Sequence, residues 1–456
     1  MMRINLLNSP LGAFLKWRFS RFVLQLPLLV VTFLAVYDGL TGSQIAPKNL
    51  ATTSVWLHYR GLVALSLFVL GNLFCAACPL MLTRGPSQFL KRYTRQFRWP
   101  RRLKNKWLVV SLTCIYLFCY EYFGLWSSPW LTAWLILGYF AASLTIDTVF
   151  PAGTFCKYVC PLGNFNFALS QVSPTQIQAV DPNVCLSCTG KYCLNGRQEK
   201  IHFPGCETQL FVPSIQSNTD CTLCMNCLRA CPHNNVAWTL NLNAFHPPKP
   251  KPDWAWMGLL LLFGGMVNAF AMTTPYTQWV EMLSQWTGIQ HSGIWLGLTL
   301  SALFVLGWFS TRQVVFWSQR LLGQRGSFNR GLRQFGSVFF PLSAGIWCGH
   351  SLYHLLTGFW SVIPIFQSLV SKTGWISVTP QWEWAGIVPE NGLFPLQVAV
   401  LYFGYGLSLY ITFGIARQNN RLTAGLPLAL LLTVCSILTL MVFAQPMQMR
   451  GSLLGG

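Results

Sequence analysis

The chain has 456 residues, 53% of them hydrophobic and only 9% charged, with 20 Trp and 33 Phe. A soluble domain carries about a quarter of its residues as charges, so this composition excludes an ordinary water-soluble enzyme and points to a protein housed in lipid. The net charge of +20 raises nucleic acid as a partner, but the placement of the basic residues assigns them to membrane topology and leaves no nucleic-acid surface.

Crossing a bilayer takes roughly 20 consecutive apolar residues. Nine runs qualify, at about 20–41, 55–74, 107–126, 130–150, 254–273, 293–314, 335–357, 393–415 and 424–444, many flanked by Trp. The first is too long for a removable signal peptide and lacks a small-residue cleavage site. Between the second and third runs lie Arg84, Lys91, Arg92, Arg95, Arg98, Arg101, Arg102, Lys104 and Lys106, with no acid among them. Arg312, Arg320, Arg325, Arg330 and Arg333 fill the loop after the sixth run, and Arg417 and Arg421 the turn before the ninth, whereas the opposite loops hold little beyond Lys48 and Lys372. Lys/Arg excess marks the cytoplasmic side. The expected protein is therefore a multi-pass inner (cytoplasmic) membrane protein with its N-terminus and basic loops inside. The basic loop also offers a docking face to an acidic electron donor.

The second run ends in Phe74-Cys75-Ala76-Ala77-Cys78-Pro79-Leu80, and the fourth leads into Phe155-Cys156-Lys157-Tyr158-Val159-Cys160-Pro161-Leu162. Each motif follows a pair of spans, which reads as a duplicated two-helix unit. Thiols at equivalent points on one membrane face fit a third iron–sulfur centre or a redox-active dithiol. The plainer alternative is that small cysteines end two helices, with Pro as the stop.

Between the fourth and fifth runs lies a polar stretch, about 155–250, with ordinary charge and many turn residues. Cys221, Cys224, Cys227 and Cys231 read Cys-x2-Cys-x2-Cys-x3-Cys and are followed by Pro232. That is the spacing of the bacterial ferredoxin run, whose fourth Cys reaches the neighbouring cluster. Upstream stand Cys185, Cys188, Cys193 and Cys206 at less regular intervals. Under the crossed pattern, Cys185, Cys188, Cys193 and Cys231 hold one [4Fe–4S] cluster, and Cys206, Cys221, Cys224 and Cys227 the other. Paired Cys-x2-Cys also suits tetrahedral zinc, but a complete ferredoxin run among eight cysteines argues for iron. A cytoplasmic insert is reducing, which argues against disulfides. So small an insert has little core of its own, and cluster ligation would hold its fold together.

Spans ending in Cys-Pro motifs and followed by this insert resemble the membrane polyferredoxin family that includes the NapH, NosR and FixG types. The resemblance covers about residues 15–275. It implies an electron-transfer protein, a component of a quinone-linked oxidoreductase, that joins a cytoplasmic redox partner to the membrane quinone pool. Two other roles stay open: a maturation factor supplying electrons for cofactor insertion in a respiratory enzyme, and a redox sensor.

His350 and His354 are four apart on the seventh run and share a helical face; His58 and His291 fall on the same, outer side. Such imidazoles suit a b-type haem or hydrogen bonds to a quinone headgroup, and the plain alternative is interfacial histidines bonded to backbone or water. Ionisable residues within spans are usually paired or functional. Arg60 with Glu121 reads as an ion pair, and Asp147, near the second Cys-Pro motif, as a proton handler at an inner-side quinone site. Cys114, Cys119, Cys348 and Cys435 read as small packing residues.

The expected fold is an α-helical polytopic membrane protein of about nine spans with a small α+β, two-cluster ferredoxin-like insert. Its parts are a four-span membrane domain at 1–154, the cytoplasmic insert at 155–250, and a five-span membrane domain at 251–456.

Overall fold

The computed structural model describes residues 4–198, 202–240, 247–372, 377–385 and 392–447; the remainder of the expected insert, at 199–201 and 241–246, lies outside the described residues. Among the described residues, seven helical stretches are long and apolar enough to cross a membrane: Ser20–Thr41, Pro129–Val149, Pro252–Phe270, Gly293–Leu321, Phe328–Lys372, Leu393–Gln418 and Leu422–Phe443. They coincide with seven of the nine expected runs. Bulky apolar side chains face outward on them, among them Phe33, Val305 and Leu430, as a helix in hydrocarbon requires. The protein is thus a helical membrane protein.

The other two expected runs take different forms. Run 107–126 becomes an apolar helix of 16 residues, Trp107–Tyr122. Run 55–74 is a broken path: Leu50–Thr52, a π-helical stretch at Thr53–Tyr59, the helix Arg60–Val69, and a separate short helix at Leu73–Ala77. The break has a local cause. Gly71 stands at φ +68°, a left-handed conformation through which a right-handed helix does not continue.

The chain divides into two compact units, one of residues 1–32, 66–112 and 137–248, the other of 33–65, 113–136 and 249–456. In the first unit, strands β1 (Ile4–Asn5), β2 (Thr175–Ala179) and β5 (Val236–Leu240) form an antiparallel sheet in the order β1-β5-β2. Two further short strands, β3 (Arg197–Gln198) and β4 (His202–Phe203), pair with each other. β2 and β5 bracket the eight insert cysteines in sequence, so their pairing closes that stretch into a loop-rich α+β body. Its core mixes Trp238 and Ile177 from the strands, Leu7 and Leu15 from the N-terminal segment, and Leu223, Met225, Cys221 and Cys227 from the ferredoxin-spaced run.

In the second unit the helix Pro252–Phe270 is mostly buried, and packs with Phe339, Leu342, Ile346, Leu401 and Leu432. Helices Phe339–Gly358 and Leu393–Gln418 pass closest at two glycines. A Cβ on Gly404 would stand 2.4 Å from the Pro341 carbonyl and 3.1 Å from Gly345 Cα. Without a solvent-driven hydrophobic effect between them, membrane helices associate through such close approaches. Beside the contact, the Ser408 hydroxyl donates to the Val338 carbonyl at 2.7 Å. Among the helices without a counterpart in the expected runs, Thr274–Thr287 exposes Trp279, Met282 and Trp286, an apolar edge of the kind that suits a membrane surface. Replacing Gly404 with Val should push its two helices apart and cost about 1–3 kcal/mol, read as a lower unfolding midpoint in detergent; an unchanged midpoint would show that the helices do not meet there.

Candidate functional site

The first unit gathers twelve cysteines into three groups. Cys185, Cys188, Cys193 and Cys231 line a cavity of about 340 Å³, part of it open to solvent, together with Phe211 and Val236. Asp181 caps the short helix Pro182–Ser187, which carries Cys185. Asn235 then serves two sulfurs: its side-chain amide donates to Cys185 Sγ at 3.2 Å and its backbone N–H to Cys231 Sγ at 3.5 Å. Burial pushes the Cys185 and Cys193 thiols up, and the other sulfurs of the group add to the rise.

Cys221, Cys224 and Cys227 lie on a tight loop, and Cys206 stands near all three. The loop curls because Asp220, Leu223 and Met225 adopt φ of 63°, 48° and 58°. Left-handed conformations are costly for non-glycine residues and persist where the surroundings impose them, commonly at functional sites. The curl turns the Leu223 and Asn226 amides onto the Cys221 and Cys224 sulfurs. Burial nonetheless pushes the Cys221 thiol up to about 12. Left to themselves these thiols stay protonated; a bound cation is what reverses that.

Cys75, Cys78, Cys156 and Cys160 form the third group, close enough for each charge to be felt by others. The unequal spacing of the two Cys-Pro motifs has a structural answer. The extra residue in the second is taken up by a π-helical turn at Phe155–Val159, the usual way a helix absorbs an insertion. Cys78 (φ −60°, ψ 123°) and Cys160 (φ −70°, ψ 111°) therefore share one backbone conformation, each with Pro opening the next helical segment. Around them, Gly163 N–H donates to Cys160 Sγ at 3.2 Å, the Asn166 amide reaches Cys75 Sγ at 3.6 Å, and Met81 Sδ lies 3.6 Å from Cys156 Sγ. Among the described residues no three His, Cys, Asp or Glu side chains converge on a single ion.

The groups adjoin. The Cys206 amide donates to the Cys193 carbonyl at 2.8 Å, and Asn72, buried just before the first Cys-Pro motif, donates to the Cys221 carbonyl at 2.8 Å. Lys106 is buried with its ammonium on the Lys157 carbonyl (2.6 Å), Asn164 Oδ1 (2.8 Å) and Asp220 Oδ1 (2.5 Å). It so ties the second motif to the residue preceding Cys221. Asn164 in turn donates to the Cys156 and Cys160 carbonyls, each at 3.0 Å.

Asp147 has another occupation than proton handling. Its two oxygens accept the Gly153 and Phe155 amides at 3.2 and 3.1 Å, and Arg84 lies 3.6 Å away; it braces the loop that delivers Cys156. In the second unit, Arg60 and Glu121 are joined through Asn268, which accepts from Arg60 at 3.2 Å and donates to Glu121 at 2.6 Å. Arg60 also donates to the Tyr120 hydroxyl. Both ring nitrogens of His58 face carbonyl oxygens, of Thr53 at 3.0 Å and Phe359 at 2.8 Å, which leaves neither for iron. His350 and His354 are buried, with ring centroids 4.9 Å apart and edge to face. Rings in that contact leave no gap for a macrocycle, so they do not form an axial pair on one haem. His291 is exposed. Cys348 and Cys435 are buried, Cys435 in the core of the second unit, while Cys114 faces outward.

Asn72, Arg84, Lys106, Asn164, Asn166 and Asn235 escaped the sequence reading. The one available signal was the pair Asn164 and Asn166 in an otherwise apolar helix, where an amide needs a partner. Gly153 is a second hidden requirement: it stands at φ +81°, and a Cβ there would meet the Glu207 carbonyl at 2.1 Å. Gly153→Ala should cost more than about 1 kcal/mol, lowering the unfolding midpoint and speeding alkylation of Cys156 as followed by mass spectrometry. Unchanged values for both would show that the close approach carries no weight.

No family model and no solved structure matches the chain. Over 136 residues it is 32% identical to YccM of Escherichia coli (strain K12), provisionally named as an electron transport protein. The match takes in 28% of this chain and 34% of YccM, so it spans about a third of that relative's length.

Proposed function

We propose that this chain is a membrane electron-transfer protein, with a [4Fe–4S] cluster on each of the two insert groups and a third redox station at the Cys-Pro quartet. Electrons would pass between a cytoplasmic redox partner and the membrane quinone pool. The observation that carries this reading is the succession of the three sulfur groups within one compact unit, joined by the Cys206–Cys193 and Asn72–Cys221 hydrogen bonds. The name of YccM points the same way.

The residues present fit such clusters. Amide donors surround the sulfurs, left-handed residues curl the ferredoxin-spaced loop, and the four cysteines of the Cys185 group line one cavity that opens to solvent. Bound there, the clusters supply one-electron chemistry at potentials set by burial and by hydrogen bonds to sulfur. The chain's own residues do the rest. Asn235, Leu223, Asn226, Gly163 and Asn166 place N–H donors on sulfur, which favours the more negative state. Burial of Cys75 and Cys160, with Cys78 and Cys156 half-buried, limits solvent at the quartet, and Lys106 holds its loop against the Cys221 run. The basic loop at 91–104, exposed over Arg92, Arg95, Arg98, Arg101 and Arg102, supplies the positive field that marks a cytoplasmic face and draws an acidic partner.

Anaerobic purification with iron and sulfide analysis should find about eight iron atoms per chain for the insert groups, or about twelve if the quartet also holds a cubane. Cys188→Ser and Cys221→Ser should each remove about four, and a quinol should reduce the wild type as seen by electron paramagnetic resonance. Iron-free material with zinc in its place overturns the reading. Iron-loaded protein that no quinol or quinone can reduce or oxidise overturns the quinone link alone.

A further inference from the structure

Arg84 lies in the basic stretch, yet it does not behave as a topology-setting surface residue. It is 9% exposed, with Nη1 2.8 Å from Glu207 Oε2 and Nε 3.6 Å from Asp147 Oδ2. Both carboxylates have further partners. Glu207 also binds Arg21, and Asp147 already accepts the Gly153 and Phe155 amides. None of the three guanidinium nitrogens makes an aligned hydrogen bond among the described residues. The guanidinium is thus held chiefly by charge, at a depth where a buried ion is costly. Burying an ion cluster of this kind is rarely a gain in stability, so its retention calls for another reason.

The position of the charge offers one. Arg84 acts electrostatically on Cys156 and Cys78 of the quartet and on Cys224 of the second insert group. It thus stands beside both sulfur groups at their junction. Glu207 directly follows Cys206, and Asp147 braces the loop that leads to Cys156, so the chain Asp147–Arg84–Glu207 connects the two. A guanidinium stays protonated at any working pH, so this cation is constant.

We propose that Arg84 is a tuning residue, a permanent buried cation that sets the balance of electrons between the Cys206/Cys221/Cys224/Cys227 centre and the Cys-Pro quartet. The inference rests on the iron–sulfur reading above. With clusters bound, an electron exchanged between the two would be lost by one centre and gained by the other. No bond or proton changes at the guanidinium. A nearby positive charge favours the more negative, reduced state of a centre, and a nearby carboxylate opposes it.

The test is a redox titration of the full chain in detergent, monitored by electron paramagnetic resonance, with iron counted on every sample. Arg84→Gln should lower the potential of the Cys-Pro quartet, whose Cys156 feels the cation more than Cys224 does, relative to the Cys206/Cys221/Cys224/Cys227 centre by about tenfold in electron partition, about 59 mV for a one-electron couple. The Cys185/Cys188/Cys193/Cys231 centre should not move, and Arg84→Lys should stay near wild type. Should Arg84→Gln fail to retain iron, Glu207→Gln decides the matter: it removes the opposing charge and must raise the potential. Iron-loaded Arg84→Gln or Glu207→Gln with wild-type potentials overturns the proposal and leaves the electron-transfer reading standing. Iron-free wild type overturns that reading itself.

Discussion

A thiol is a small, nearly apolar group that packs readily in a protein interior, whereas a thiolate out of water is costly unless a cation or several donors face it. The first unit puts twelve cysteines largely out of water, in three groups, and rings them with N–H donors while providing few cations. For the Cys221 group the outcome is visible directly: burial pushes Cys221 up to about 12 even though the Leu223 amide works the other way. An array of protonated thiols has no use for amides aimed at sulfur or for left-handed leucine and methionine in the connecting loop. Those features suit an anionic sulfur, which at this depth is costly unless a cation or several donors face it.

Second to that constraint comes the way the groups are held. The quartet's loops are not anchored by their own helices alone. Asn164 occupies the Cys156 and Cys160 carbonyls, Gln25 reaches the Ala76 and Cys78 carbonyls at 3.3 Å, and Lys106 closes the gap to Asp220. Each is a buried donor satisfying a backbone carbonyl freed by a Cys-Pro turn, where a regular helix would have used an amide of its own. Such networks are rigid when fully satisfied, and rigidity keeps the sulfur groups at fixed separation. The π turn at Phe155–Val159 belongs to the same arrangement, since it lets motifs of unequal length present their second cysteine in one conformation.

The helical, membrane-borne character was legible in the sequence because it is local, as are the cysteine spacings. Cysteine spacing encodes which thiols one loop can aim at a common point, and apolar run length encodes membrane span; neither needs knowledge of distant residues. The same locality explains the failures. Asp147 read as a proton handler because an isolated aspartate in a span looks unpaired, and only folding brings the Gly153 and Phe155 amides and Arg84 to it. For His58 the spacing left haem, quinone and plain hydrogen bonding open, and only folding brings the Phe359 carbonyl, 301 residues away, to its ring. Run 55–74 is continuous in hydropathy, yet Gly71 at φ +68° breaks it, and hydropathy carries no record of a backbone angle.

By itself, then, the sequence determined that the chain is helical and membrane-borne, and that its cysteines cluster in short segments, since both follow from composition and short-range spacing. Only the tertiary structure decided that the three sulfur groups adjoin in one unit, that β1, far ahead in the chain, completes the sheet around them, and that Arg84 lies buried at their junction rather than on the basic surface. These are contacts between residues tens to hundreds of positions apart, and no local pattern in a chain specifies which of its distant amides and charges will meet once it folds.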